Sequence, residues 1–116
     1  MSETIWGKIF KHLKTNGFNV YSPGTKDGEC VSKYVVVKNL NVTAHTSFST
    51  DNAYYDILIY VPKNAYSQLE SYVEDVKKSL KELNFIKDAG MQTESYYDDK
   101  IKAHMVSVSY LNYRKK

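Results

Sequence analysis

One segment, residues 54–61, constrains the fold of this 116-residue chain more than any other. One face of the strand that it predicts carries Tyr55, Ile57, Ile59 and Val61, and the other carries Tyr54, Asp56, Leu58 and Tyr60. Successive side chains of a strand point to opposite faces of its sheet. Because both faces here are largely apolar or aromatic, we predict a central strand, which Pro62 ends.

A first amphipathic helix is predicted near the start of the chain. Ser2 or Thr4 caps it, and Asn16-Gly17 ends it with a left-handed residue. Its buried stripe has the i, i+3, i+4, i+7 spacing and consists of Ile5, Trp6, Ile9, Phe10 and Leu13.

A second amphipathic helix is predicted over residues 65–83. Its apolar stripe is Leu69, Tyr72, Val73, Val76, Leu80 and Leu83, with lysines and glutamates on the opposite side. Two N-terminal caps are compatible with the sequence: Asn64, or Ser67 in a capping box with Glu70.

Further strands are predicted on both sides of the central one. Residues 18–21 favour a short edge strand, and residues 33–40 a strand rich in valine. Residues 41–52 are polar and fit either a loop or the twisted ends of two long strands. Residues 91–97 and 101–113 predict a hairpin with its turn at Asp98-Asp99-Lys100.

These elements follow in the order α-β-β-β-α-β-β. Two helical stripes and one sheet predict a two-layer α+β domain that covers residues 1–116. We expect a mostly antiparallel sheet of four to five strands packed against the two helices.

Charge and cysteine content restrict the partners and the compartment. The net charge is +3, from 16 basic and 13 acidic side chains, which is too small an excess to indicate a nucleic-acid-binding protein. The one basic cluster, Arg114-Lys115-Lys116, is more typical of a solvated end.

Cys30 is the only cysteine, so we expect a reducing cytoplasm. The apolar runs, residues 34–37 and 57–61, are too short for a membrane span.

Catalytic and metal-binding motifs are not found in the sequence. His12, His45 and His104 lie far apart and lack metal-ligand spacing. Cys30 has no nucleophile elbow beside it, and it is more typical of a small buried apolar residue. Asp98-Asp99 fits turn chemistry better than acid–base catalysis. We therefore predict that the protein is not an enzyme and uses no cofactor or metal.

Tyrosine is the unusual component, with 11 residues against four phenylalanines and one tryptophan. In the pairs Tyr54-Tyr55 and Tyr96-Tyr97, one ring of each pair must lie on the sheet face away from the helices. A tyrosine is favoured where a surface is buried against another protein. A platform for single-stranded nucleic acid also uses such rings. Asp56 and the Asp98-Asp99 pair favour protein over nucleic acid.

The second half of the chain resembles a known family. The run Tyr55-Asp56-Ile57-Leu58-Ile59-Tyr60-Val61-Pro62 leads directly into the helix of residues 66–83. The segment 90–99 and the closing run Lys102-Ala103-His104-Met105-Val106-Ser107-Val108-Ser109-Tyr110 follow. Over residues 30–113 this pattern is similar to the tail terminator, or tail completion, proteins of tailed bacteriophages and phage-tail-like particles.

The resemblance implies a structural role without catalytic residues. Such proteins form a hexameric ring on the head-proximal end of the tail tube, stop its polymerisation and present a surface to the neck or collar. Contractile tails add contact with the last sheath ring. The partners implied are further copies of this chain, the tube protein and the sheath and neck proteins, with no membrane and no specific nucleic acid. The place implied is the tail of a particle assembled in the cytoplasm of a bacterial host.

A ring requires that one patch of each subunit meets a different patch of its neighbour. We expect residues 41–52 and the 96–101 hairpin to supply these contacts, and we expect changes at Tyr97 and Asp98 to abolish capping. The candidate interface residues are Asn41, Thr43, His45, Ser47, Tyr54, Tyr96, Tyr97, Asp98, Asp99, Tyr113 and Arg114.

Overall fold

Six strands form one mixed sheet with helices on one of its faces in the computed structural model, which describes residues 4–26, 28–40 and 53–112. The elements are α1 (Ile5–Thr15), β1 (Val20–Tyr21), β2 (Tyr34–Leu40), β3 (Ala53–Pro62), a 3-10 segment (Lys63–Gln68), α2 (Leu69–Leu80), β4 (Ile86–Gln92), β5 (Tyr96–Asp98) and β6 (Ala103–Asn112). The predicted two-layer α+β class is confirmed. The sheet has six strands rather than four to five because two separate strands, β4 and β5, lie along one side of β6, where a single strand over residues 91–97 was predicted.

The strand order places the predicted central strand inside the sheet. The order is β1-β2-β3-β6-β4, with β5 also paired to β6. Only β1 and β2 are parallel; the other pairs are antiparallel. β3 pairs with β2 on one side and along its whole length with β6 on the other. β4 and β5 therefore both lie on the outer side of β6, where they form one edge of the sheet.

The first helix follows its predicted signals. The Thr4 hydroxyl accepts a hydrogen bond from Gly7 N at 2.9 Å, which makes Thr4 the cap. Gly17 has a φ of 92°, and Phe18 N donates to Leu13 O at 3.1 Å. The helix is held on the sheet by Trp6, whose Nε1 donates to the carbonyl of Val37 at 2.7 Å.

The second helix begins later than predicted, and both predicted caps are wrong. Residues Lys63–Gln68 form a 3-10 segment, and α2 begins at Leu69. Pro62 and Gln68 occupy the two N-cap positions, and neither makes a side-chain cap bond. Ala65 has non-helical angles, φ −116° and ψ 26°, so the turn that follows Pro62 does not continue as an α-helix.

The main hydrophobic core lies between the helices and one face of the sheet. Ile57, Ile59 and Val61 of β3 are fully buried there, as the alternation predicted. α1 contributes Ile9 and Leu13. The remaining strand and α2 side chains of this core include Val35, Val37, Tyr55, Leu69, Tyr72, Val73, Val76, Leu80, Val106, Val108 and Tyr110.

A second, smaller core covers part of the opposite face. It consists of Cys30, Tyr34, Val36 and Ala103, with Tyr21, Leu58, Tyr60 and Ile101 packed against it. Cys30 N donates to the carbonyl of Ile101 at 2.7 Å, which joins the β1–β2 connection to the β5–β6 turn. The chain therefore covers part of its own outer face.

Candidate interaction surface

The tyrosines divide clearly between packing and exposure. Tyr34, Tyr55, Tyr72 and Tyr110 are buried, and Tyr21, Tyr54 and Tyr60 are half-buried. On the outer face, the Tyr34 and Tyr60 rings stack with centroids 4.6 Å apart, and the Tyr21 ring meets that of Tyr34 edge-on at 5.5 Å. Most tyrosines in the described part of the chain thus serve the two cores, which leaves Tyr66, Tyr96 and Tyr97 exposed.

The exposed apolar side chains concentrate on one edge of the sheet. Tyr66, Met91, Tyr96 and Tyr97 have exposed fractions of 55%, 54%, 58% and 37%. Tyr96, Tyr97 and Met91 belong to β4 and β5, and Tyr66 lies on the 3-10 segment before α2. We call these four residues the aromatic edge. An unpaired strand edge with exposed apolar side chains is a typical site of protein association.

Tyr97 and Tyr66 hold an aromatic cluster around His104. The His104 ring centroid lies 5.0 Å from that of Tyr97 and 4.7 Å from that of Tyr66. His104 Nε2 lies 3.0 Å from the carbonyl oxygen of Lys63, a geometry in which the ring N–H donates. The cluster brings side chains of β5, β6 and the 3-10 segment into contact.

Asp98 and Asp99, both predicted as interface residues, act in the β5–β6 turn. Asp98 is half-buried, and its Oδ1 accepts a hydrogen bond from Lys100 N at 3.0 Å. Asp99 lies 3.9 Å from Lys102 Nζ in an exposed ion pair. Lys102 itself has a φ of 56°, a left-handed conformation that costs a non-glycine residue free energy. The turn therefore covers residues 99–102: Asp99 and Lys100 lie in it as predicted, whereas Asp98 is the last residue of β5 and β6 begins two residues later than predicted.

The carboxylate of Asp98 also lies near the smaller core on the outer face of the sheet. Burial raises the pKa of Tyr60, and the negative charge of Asp98 raises it further. The pKa of Tyr34 is raised strongly, mainly by burial, with smaller effects from Cys30, Tyr60 and Asp98. Both phenols therefore stay neutral at physiological pH, as expected of packing residues.

The structure separates the candidate interface residues into two groups. Tyr54 is paired with Leu40 and Leu111 at one end of the sheet, whereas Asp98 is paired with Ala103 at the other. The ten-residue strand β3 connects these ends, so they lie about 30 Å apart. Asn41, Thr43, His45, Ser47, Tyr113 and Arg114 lie outside the described residues. The described residues that flank them, Leu40, Ala53 and Asn112, are at the Tyr54 end.

A groove of 420 Å³ runs between α2 and the edge formed by β4 and β5. Its floor is apolar, with the buried side chains of Leu69, Val73 and Val106. Tyr66 of the aromatic edge closes one part of it. Neither this groove nor the exposure of Tyr66 was predicted from the sequence. On an α-helix, Tyr66 would lie three residues before Leu69 on the same buried face. In the 3-10 segment the Tyr66 ring is exposed instead.

The described residues contain no group of three metal-ligating side chains and no helix long and apolar enough to cross a membrane. Cys30 is buried, and its Sγ lies 3.3 Å from the Ser32 carbonyl oxygen. Burial raises the pKa of the Cys30 thiol, against the smaller effects of Lys26 and of the Ser32 hydrogen bond. A thiol in this state is a poor nucleophile.

Comparison with known protein families gives no matching family, and comparison with curated proteins gives no match.

Proposed function

We propose that this chain is a structural subunit of a phage-type tail. In this proposal, copies of it form a ring on the head-proximal end of the tail tube, end its polymerisation and join the tail to the neck or collar. Its partners are other copies of itself, the tube protein, the neck proteins and, in a contractile tail, the last sheath ring. The resemblance of residues 30–113 to tail terminator proteins is the basis of the proposal.

The observation that supports this assembly role most directly is the aromatic edge. Tyr66, Met91, Tyr96 and Tyr97 are exposed beside strands that pair with β6 on one side only. Tyrosine and methionine are enriched in protein interfaces because they contribute large contact areas. A strand edge also offers backbone donors and acceptors to a neighbour. Association through this edge is consistent with a subunit whose role is to assemble.

The position of Tyr54 is compatible with the two separate patches that a ring needs. Tyr54 lies about 30 Å from the β5 end of the sheet, as a ten-residue strand requires. A closed ring uses two different patches of each subunit, whereas a two-fold dimer uses the same patch twice. Two candidate patches at opposite ends of one sheet meet the requirement of the ring.

The test is capping of purified tail tubes, observed by electron microscopy. We expect the protein to bind one end of each tube as a ring and to stop further growth of the tube. The double variant Tyr96→Ser, Tyr97→Ser removes two rings from the aromatic edge and should abolish capping. Asp98 is left unchanged because its carboxylate holds the β5–β6 turn.

The matched control is Val31→Ser, which removes another exposed apolar side chain outside the aromatic edge. This control should cap tubes like the unchanged protein. Circular dichroism of all variants verifies that the monomer is folded. Capping by the folded Tyr96→Ser, Tyr97→Ser variant would contradict the role given to the aromatic edge. An unchanged protein that never binds tube ends would contradict the proposed function.

Binding of single-stranded nucleic acid is the competing function, and the charges around the aromatic edge oppose it. Glu94 precedes β5, and Asp98 and Asp99 follow the exposed rings of Tyr96 and Tyr97. These carboxylates repel phosphates. An oligonucleotide titration at low and high salt distinguishes the functions, because phosphate contacts make affinity fall steeply with salt. We expect no binding at either salt concentration.

A further inference from the structure

The groove between α2 and the β4–β5 edge has the form of a site for an extended peptide. Its floor is formed by the apolar side chains of Leu69, Val73 and Val106, each at most 5% exposed. One wall is the connection between β4 and β5, and no other described strand pairs with the outer side of either strand. A segment that lies in this groove can place apolar side chains on the floor, between α2 and the β4–β5 connection.

The charges on the walls of the groove select a cationic occupant. Glu70 and Glu74 stand on the α2 side, and Glu94 stands on the β4–β5 connection; all three are exposed. A neighbouring cleft of 640 Å³ lies farther along α2. The boundary between the groove and this cleft is marked by a 3.2 Å hydrogen bond from Lys77 Nζ to Gln92 Oε1. That second cleft is lined by lysines as well as acidic residues. A basic peptide therefore fits the first groove and not the second.

The chain itself contains one segment of this chemistry. Residues 113–116 are Tyr113, Arg114, Lys115 and Lys116, an aromatic residue followed by the only run of three basic residues in the sequence. We infer that residues 113–116 of a second copy of this chain occupy the groove, with the Tyr113 ring on the apolar floor and the basic side chains at the glutamates. The inference rests on the proposed function, because it supplies one contact of the ring.

The reach of the segment favours a neighbouring copy over the same copy. Asn112 is paired with Ala53 and Ile86, whereas Val106 of the groove floor lies six residues earlier on the same strand. That separation is about 20 Å along β6. Four extended residues span at most about 14 Å, and they would first have to reverse direction. A contact between one copy's segment and its neighbour's groove is the heterologous kind that builds a ring.

Site-directed cross-linking between two distinguishable copies tests the contact. Cys30→Ala provides a background without cysteine, and the unchanged background serves if that variant does not fold, since Cys30 is buried. One copy carries Glu94→Cys, and a second copy with a different tag carries Lys116→Cys. We expect a cross-linked product that contains both tags, formed in lower yield as salt is raised.

A matched control places the cysteine at Thr15, an exposed residue of α1 that is not part of the groove. Thr15→Cys should give little product with Lys116→Cys. Glu70→Lys with Glu74→Lys, added to the Glu94→Cys copy, should lower the yield to that of the control. Adding Arg114→Glu and Lys115→Glu to the Lys116→Cys copy should restore the yield of cross-linked product, because the charges of the two surfaces are then exchanged and attract again.

The outcomes separate this contact from the tail assignment. No product, or a product equal to that of the Thr15→Cys control, would overturn the inference. Capping of tubes without the cross-link would overturn the inference and uphold the proposed function. A specific cross-link in a protein that does not cap tubes would uphold the contact and remove the tail assignment.

Discussion

Asp56 joins two strands on the outer face of the sheet, beyond the part covered by the smaller core. Its Oδ1 accepts hydrogen bonds from the hydroxyls of Ser107 at 2.9 Å and Ser109 at 3.1 Å, both on β6. The two serines are only 8% and 9% exposed. One carboxylate thus satisfies two nearly buried hydroxyls, which explains why a charged residue stands in the middle of a mostly apolar strand.

Removal of the Asp56 side chain should therefore cost stability. Asp56→Ala leaves two buried hydroxyls without their acceptor and should lower the free energy of unfolding by about 1–3 kcal/mol. Asp56→Asn keeps an oxygen in the same place and should lose less than half as much. Urea denaturation followed by circular dichroism measures both values. Equal losses for the two variants would mean that the charge, and not the acceptor oxygen, is what the serines require.

At the scale of elements, β4 is the strand with the weakest sequence signal. Of its seven residues only Ile86 is buried, because the strand lies at the edge of the sheet. The ladder between β4 and β6 is irregular between Asp88 and Gln92. Within this irregular stretch, Gly90 has a φ of 80°, and its N–H donates to Asp88 Oδ1 at 2.8 Å.

Gly90 is there for its backbone conformation and not for lack of space. A Cβ added at Gly90 would meet no atom within 4 Å, so any cost of substitution comes from the positive φ. Gly90→Val should lower the free energy of unfolding by about 1–2 kcal/mol or more, since a β-branched residue is strongly disfavoured there. Gly90→Asn should cost clearly less, because asparagine tolerates the left-handed region. Urea midpoints of the two variants give the comparison, and equal midpoints would contradict it.

The contrast between β3 and β4 shows what the sequence could predict. Ile57 and Ile59 alternate with half-buried neighbours, so the strand, its inward face and its central place all followed from the pattern. β4 has no buried face to alternate against, and only its last residues fell within the predicted strand 91–97. The α2 caps failed for a related reason: Ser67 and Glu70 have capping-box spacing, but the 3-10 geometry after Pro62 moves the start of the helix to Leu69.

The candidate interface was predictable only in part. The alternation of side chains along a strand indicated that one ring of each tyrosine pair faces away from the helices. Tyr96 faces away from them, next to its pairing partner Met105 on β6. It did not indicate what covers the outer face. Cys30 and Ile101 meet there although they are far apart in sequence, and no local pattern encodes such a contact. The groove between α2 and the β4–β5 edge likewise arises from packing and not from a motif.

At the scale of the whole molecule, the sheet is covered on both sides by cores that share the same strands. β3 supplies Ile57 and Ile59 to the helix side, and Leu58 and Tyr60 to the opposite side. A change in one core must therefore displace strands that also support the other. This arrangement predicts that the domain unfolds in a single cooperative step, as small domains usually do.

Ile57→Ala tests this cooperativity. Ile57 is fully buried between the helices and the sheet, so its truncation leaves a cavity and should lower the free energy of unfolding by about 2–5 kcal/mol. Helix content by far-ultraviolet circular dichroism and tyrosine packing by the near-ultraviolet signal should then shift to the same lower urea midpoint. The control Val31→Ala alters a side chain that is 78% exposed and should change stability by less than about 0.5 kcal/mol. The near-ultraviolet signal includes the stacked rings of Tyr34 and Tyr60 in the smaller core. If that signal kept its original urea midpoint while helix content was lost at a lower one, the two cores would be independent.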